Sequence, residues 1–319
     1  PTRLVFDFTA TADPMTAPRA AFGRRPTRRA VTELLRLGTA SFVLASGAAG
    51  AQSPAAEVLL VPLDDRPTSL HAPVAVGAVA GLRVITPPRP LLGRFSTPAD
   101  ADGVSAWLRR EAARPARAIV VALDLMAYGG LVASRRAASA TTEAAVGRLE
   151  TLRLVRAAAP ARPIYAVATL MRLAPTADGT DEPFREAIAR WAELATDPAA
   201  VATAERVAIE SRVPPEVLGR YRAARARNLA VLRTALALVA DGVLDHLVLA
   251  QDDARPRGIH LAERDTLRRW ITERGLAERV SIQPGTDEVA MLLVAGAVTA
   301  ATSRRPRIRV AYADPSDAT

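Results

Sequence analysis

The 319-residue chain contains no cysteine. Disulfides, thiolate metal sites and a Cys nucleophile are therefore excluded. Lysine is absent too, so all 42 basic residues are Arg. That uniformity reads as overall composition, not as a built basic surface, and the net charge of +9 is weak evidence for a nucleic-acid partner. Residues 1–51 hold seven Arg and three acids, which places +4 there and leaves +5 for the rest. Aromatics make up 4%, and no basic run is interleaved with them as a single-strand-binding surface requires. Nucleic acid is not expected as a partner. The three His (His71, His246 and His260) are scattered, and none pairs with another at ligand spacing. Neither a His-rich metal site nor a cofactor is expected. G-x-G-x-x-G, P-loop and G-x-S-x-G patterns are all missing, which leaves dinucleotide, nucleotide and Ser-hydrolase readings without support.

What is present is a hydrophobic half, enough for a sizeable core built mainly of Ala, Val and Leu. Residues 24–51 read "RRPTRRAVTELLRLGTASFVLASGAAGA". An Arg-rich start precedes an apolar stretch that ends in Ala49-Gly50-Ala51, a small-x-small cleavage pattern. This resembles a bacterial export signal, and "TRRAVT" is similar to the twin-arginine type. Glu33 and Arg36 interrupt the apolar stretch, and Val31 stands where Phe is common. The stretch is too short for a membrane span, and its plain alternative is an amphipathic helix. Cleavage after Ala51 and a periplasmic or extracellular product are expected, with residues 1–51 as leader and 52–319 as a single domain.

From Glu57 onward, short runs rich in Val, Ile and Leu alternate with amphipathic stretches. The runs are residues 58–63, 82–86, 118–123, 164–169, 246–250, 280–283 and 308–312. Helices are expected from Thr97-Pro98, from Thr141, over 183–195, 214–240, 261–274 and 287–300. The alternation predicts an α/β fold with a mostly parallel sheet. Seven strands, with the chain ending just after the last, favour a (β/α) barrel-like fold, an incomplete TIM-type barrel cut before its eighth strand. The alternative is an open doubly wound parallel sheet.

The polar residues gather just after these runs. Asp64, Asp65 and Arg66 follow the first, and Asp124, Tyr128, Gly129, Gly130, Ser134 and Arg135 the third. Arg172 follows the fourth, Gln251, Asp252 and Asp253 the fifth, Asp287 and Glu288 the sixth, and Asp314 the seventh. In parallel α/β folds the carboxyl ends of the strands share one face, where ligands bind. These groups are therefore expected to converge. Each also has a plainer reading. Asp64-Asp65-Arg66-Pro67 suits a turn, Thr286 with Asp287 and Glu288 suits a helix start, and "AYGG" suits a tight turn with φ > 0.

"LLVPLDDRP" (Leu59–Pro67), "LDLMAYGGLVASR" (Leu123–Arg135), "LAQDDARPRG" (Leu249–Gly258) and "PGTDEVAMLL" (Pro284–Leu293) together resemble the bacterial family known as domain of unknown function 4127. The resemblance covers roughly Glu57 to Thr319. It implies that the four motifs act as a unit and that a C-terminal portion found in longer members is missing here. It implies no particular chemistry.

The residues themselves suggest a hydrolase. Neighbouring carboxylates such as Asp252 and Asp253 repel, and a shared site would raise the proton affinity of one. An acid and a base together are what glycoside hydrolysis uses. Asp252, Asp253 and Asp124 are the candidate catalytic residues. Asp64, Asp65, Arg66, Tyr128, Gly129, Gly130, Arg172, Gln251, Asp287 and Glu288 are the candidate substrate-binding residues, with an N-acetyl sugar or cell-wall glycan as partner. One alternative is a hydrolase in which the acids cage a hard cation such as Mg²⁺, Mn²⁺ or Ca²⁺. Another is a non-catalytic carbohydrate- or solute-binding protein.

Overall fold

The computed structural model describes residues 5–6, 56–94, 96–176, 181–252, 255–302 and 310–311. They fall into two compact units, one of residues 1–55 with 303–319 and one of residues 56–302. The first includes β1 (Val5–Phe6). The second runs β2 (Glu57–Val61), α1 (Pro67–Val79), β3 (Arg83–Ile85), α2 (Ala101–Glu111), β4 (Ala116–Ala122), α3 (Leu123–Tyr128), α4 (Leu131–Ser134), α5 (Thr142–Leu149), α6 (Thr151–Ala158) and β5 (Ile164–Leu170). It continues with α7 (Arg185–Leu194), α8 (Ala200–Glu210), α9 (Pro215–Ala240), β6 (His246–Gln251), α10 (Ile259–Glu273), β7 (Val280–Pro284) and α11 (Val289–Thr302). The two-residue strand β8 (Val310–Ala311) pairs antiparallel with β1.

Six strands of the larger unit form one parallel sheet in the order β3-β2-β4-β5-β6-β7. The α/β class with a parallel sheet is as the sequence predicts. Among the described residues β3 and β7 are edges, and no pairing between them closes the sheet. The arrangement formed is thus the open doubly wound one. The expectation of a seventh parallel strand over 308–312 is corrected. Its described residues are β8, whose partner is β1 and whose direction is antiparallel. The expected leader, apart from β1, and the expected cleavage point lie outside the described residues.

The strands are near-continuous apolar runs because both faces are covered. Alternate residues point opposite ways. Val58, Leu60, Ala118 and Val120 pack under α11 with Val289, Leu293 and Val294. Leu59, Val61, Ile119 and Val121 pack with Val104, Trp107 and Leu108 of α2, Leu149 of α5, and Val231 and Leu232 of α9. A third cluster joins Leu173, just past β5, to Ile188 and Trp191 of α7 and Leu218 and Tyr221 of α9. It builds a small helical cap beyond the carboxyl end of β5. No helix among the described residues is long and apolar enough to cross a membrane.

Helix starts are partly as expected. Thr141 accepts the Ala144 N–H at 3.2 Å and caps α5. The helix expected from Thr97-Pro98 instead starts at Ala101. Its cap is Asp100, which accepts the Gly103 N–H at 2.9 Å. Thr97 is held back in a bridge to Arg94.

Candidate functional site

Strand order reverses between β2 and β4. β3 continues the sheet on one side of β2, while β4 to β7 continue it on the other. At such a switch point the connections leave in opposite directions and a crevice opens at the carboxyl ends of the strands. Two groups of polar side chains sit at this edge.

The first group is built on Arg66, just before α1. Its Nε donates to Asp64 Oδ2 at 2.9 Å, and Asp64 Oδ1 accepts the Arg66 backbone N–H at 3.1 Å. The two Nη atoms donate to the two oxygens of Asp287 at 3.0 and 2.7 Å. A planar guanidinium suits such a two-point grip. Asp287 lies two residues before α11, and α11 packs on α1, so the two helix starts meet here. Asp65 is half-buried beside this group, and Glu288 is exposed with its carboxyl lying over Gly285.

The second group is built on Asp124. β4 runs directly into α3, which puts Asp124 in the first turn of the helix. The side chain is buried, and Oδ2 accepts the Thr169 backbone N–H at 2.9 Å. Burial pushes the carboxyl up to about 6. Hydrogen bonding from Thr169 pulls it back, and the charge of Asp252 adds to the rise. One turn later, Tyr128 is buried and pushed well above its usual range, by burial and then by the Asp124 charge. The Arg227 guanidinium lies over the Tyr128 ring at 4.6 Å. Asp252 follows β6 and accepts from Arg135 Nη2 at 2.5 Å. Both side chains are nearly buried, at 11% and 6% exposure. The Asp252 backbone N–H donates to the Leu170 carbonyl at the end of β5.

Gly129 and Gly130 join the groups. Gly129 ends α3 in the left-handed region, at φ 91°. Gly130, at φ 122°, donates its N–H to the Asp124 carbonyl, and a Cβ there would lie 3.8 Å from Asp64 Cβ. Gln251 is buried at the end of β6, where its carbonyl accepts the Gly285 N–H. Arg172 turns into its own loop and donates to the carbonyls of Ala174 and Pro175. Asp253 and Asp314 lie outside the described residues.

The strand-end residues therefore come together in two networks, not as one open cluster of acids. Among the described residues, no three His, Asp or Glu side chains meet in a way that could hold a metal. Arg66 occupies both Asp64 and Asp287, so these two do not fit the expected all-oxygen cage. Three contributors were not among the candidate site residues, although Arg135 was expected at this edge. Arg135 closes the ion pair with Asp252, Thr169 supplies an N–H to Asp124, and Arg227 anchors the Tyr128 side. Arg227 did leave a signal, since it stands between Ala224 and Val231 on the apolar stripe of α9. Its Nη2 donates to the Ser134 carbonyl at 2.5 Å, and Nη1 donates to the carbonyls of Arg136 and Ala140.

Residues 58–319 match the family described as "Protein of unknown function (DUF4127)". The chain belongs to that family. The four quoted motifs all fall in the matched region, and two of them, Leu59–Pro67 and Pro284–Leu293, contain the Asp64–Arg66–Asp287 bridge. No curated protein matches the chain. Among solved structures, the chain matches the solute-binding protein of a 5-methylthioribose transporter from Thermotoga lettingae TMO, solved with 5-methylthioribose. Identity is 9%, coverage is 80% of this chain and 86% of that one, and the TM-score is 0.24. A likeness of that size carries no argument.

Proposed function

We propose that this DUF4127 chain is a hydrolase that works by acid–base chemistry between Asp124 and Asp252, acting on a glycoside such as an N-acetyl sugar or cell-wall glycan. The observation that carries this reading is the contrast between the two carboxyls. Asp124 is buried, and its proton affinity is raised to about 6. Asp252 faces a guanidinium. An acid tuned toward neutrality can protonate a leaving oxygen, while a carboxylate stabilises positive charge or activates water. Gly130 lets the turn after α3 pass close to Asp64 without side-chain bulk, which brings the two networks together at the switch point. Arg66 holds the loop before α11 over the same edge. The resemblance of residues 24–51 to an export signal supports a periplasmic or extracellular setting for this activity.

The test is a screen of the full chain against chromogenic glycosides and cell-wall glycan fragments, with Asp124→Asn as the control. Turnover that falls by about 10²–10⁴-fold in the variant, with substrate binding retained, supports the reading. A second reading, a non-catalytic carbohydrate- or solute-binding protein, is favoured by the depth of Asp124, which is 3% exposed. Saturable glycan binding by the wild type without any turnover would establish that reading instead.

A further inference from the structure

Two helices of the larger unit carry no charged residue. α1, of 13 residues, and α11, of 14, contain no Asp, Glu, Lys or Arg, in a chain where 24% of residues are charged. They pack side by side on one face of the sheet. A helix that is apolar all round ordinarily lies inside a protein. Here each turns an apolar stripe outward. Ala75 and Val79 on α1, and Leu292 and Gly296 on α11, are exposed at a spacing of one turn. Val79 is 92% exposed and Leu292 56%. The helices on the opposite face of the sheet differ. α2, α5 and α10 pack inward with Trp107, Leu149 and Leu267 and turn charged residues outward, such as Arg109, Glu143 and Arg269.

We infer that the α1–α11 face is where a second copy of this chain docks, α1 and α11 of each copy packing on those of the other about a two-fold axis. The size fits. Helices of 13 and 14 residues are about 20 Å long and about 10 Å across. Two abreast span about 20 by 20 Å, which with side-chain relief is about 600–800 Å² of accessible surface, what each partner gives to a specific interface of modest size. A lone protein rarely leaves so large an apolar patch uncovered. The charge pattern selects the occupant. Each copy carries +9, so surfaces rich in Arg repel one another. A face with neither sign lets two copies meet without burying an unpaired charge. An isologous contact also needs no second, complementary patch elsewhere on the molecule. A lipid surface fits less well. Interfacial helices carry Lys or Arg beside Trp or Phe, and α1 and α11 have none of these. Ala75 and Gly296 let the facing helices approach closely. The two helices start at the Arg66–Asp287 bridge, so the contact backs the elements that hold it. This inference does not depend on the hydrolase reading.

The test is sedimentation velocity of the full chain across about 1–100 µM, a range suited to a modest interface. Expected is a concentration-dependent dimer, weakened by about tenfold or more in both V79R and L292R, which place a charge in the contact. Both positions are exposed, so urea midpoints should stay near wild type. V207R is the control. Val207 lies on α8 and is also 56% exposed, and its replacement should leave the dimer intact. The dimer should hold or tighten as salt is raised, because no ion pair is part of it. A wild-type chain that stays monomeric throughout overturns the inference. So does a dimer equally strong in V79R and L292R, or one that dissociates with salt. A monomer that co-sediments with phosphatidylcholine vesicles, and loses them in L292R, assigns the face to a lipid surface and overturns it too.

Discussion

Arg66 and Asp287, 221 positions apart in the chain, form a two-point ion pair at 3.0 and 2.7 Å. The same guanidinium holds Asp64 through Nε. One cation thus ties the end of β2 to the segment leading into α11, and it keeps two carboxylates from being ligands for anything else. The edge of the sheet is organised by arginine, and only Asp124 among its described acids is left to burial.

The two partners should not be equivalent on removal. Asp287 is partly exposed, with 39% of its side chain open. Asp287→Asn is expected to cost about 0.5–1 kcal/mol, as for other screened pairs. Arg66→Ala strands Asp64, whose side chain is only 8% exposed, with one backbone N–H. That variant should lose about 2 kcal/mol. Urea unfolding of both variants measures the difference, and equal losses would contradict the arrangement.

Much of this was legible in the sequence, and the reason is geometric. Parallel strands must end on one face, so Asp64, Asp124, Asp252 and Asp287 could be placed at a common edge from their positions after apolar runs. The split into two networks was not legible. It depends on which side chain each guanidinium reaches, and Arg66 and Arg135 each had several acids within plausible range. The choice of open sheet over barrel was equally hidden. Strand count and spacing are shared by both, and only strand order, set by which helices cover which face, separates them. α8 was missed because Pro198 and the Ala-rich run after it give little periodic signal, and α3 because it starts without a turn at the end of β4.

Gly129→Ala should be poorly tolerated. Its φ of 91° disfavours a side chain, and a Cβ would stand 2.8 Å from the Ala99 carbonyl oxygen. The Ala99 N–H already donates to the Gly129 carbonyl at 2.9 Å, so that backbone cannot retreat without losing a bond. A loss of about 1–3 kcal/mol is expected in thermal or urea unfolding. Gly130→Ala meets only ordinary contact, with its nearest atom at 3.5 Å, but φ 122° with ψ 176° is a conformation essentially reserved for glycine. A loss of about 1–3 kcal/mol is expected there from backbone strain alone, and an unchanged urea midpoint would show that this turn does not require glycine's conformation.

Export makes a prediction independent of the fold. In a bacterial host with a working twin-arginine pathway, the secreted product should begin at Gln52. Replacing both Arg28 and Arg29 with Lys should hold the chain in the cytoplasm at full length. Mass spectrometry of the two fractions decides it, and an uncleaved wild-type chain in the cytoplasm would refute the leader reading.

Arg135 and Asp252 should behave as a coupled pair. Asp252→Asn leaves a guanidinium that is 6% exposed without its charge partner, and Arg135→Gln does the converse. Each single change is expected to cost about 2–4 kcal/mol. The double variant removes both charges and should cost clearly less than the sum, with a coupling of about 1–3 kcal/mol in a double-mutant cycle. Additive losses would mean that the two charges do not interact in solution.

Asp124 gives the sharpest pH signature. Its folded carboxyl titrates at about 6, above the ordinary 3.8, so between those values the folded chain binds more protons than the unfolded one. Stability should then fall as pH rises through that window, because the charged form is the one burial disfavours. The shift corresponds to about 2–3 kcal/mol at pH 7, lost on ionisation and regained on acidification toward pH 4. Asp124→Asn cannot ionise and keeps an oxygen to accept the Thr169 N–H. Its stability relative to wild type should therefore be near zero at pH 4, grow in the variant's favour toward pH 6, and level off above pH 7. Urea midpoints of both proteins across pH 4–8 test this directly. A difference that does not change with pH would show that Asp124 titrates as an ordinary exposed carboxylate, and the acid role proposed for it would fall with that result.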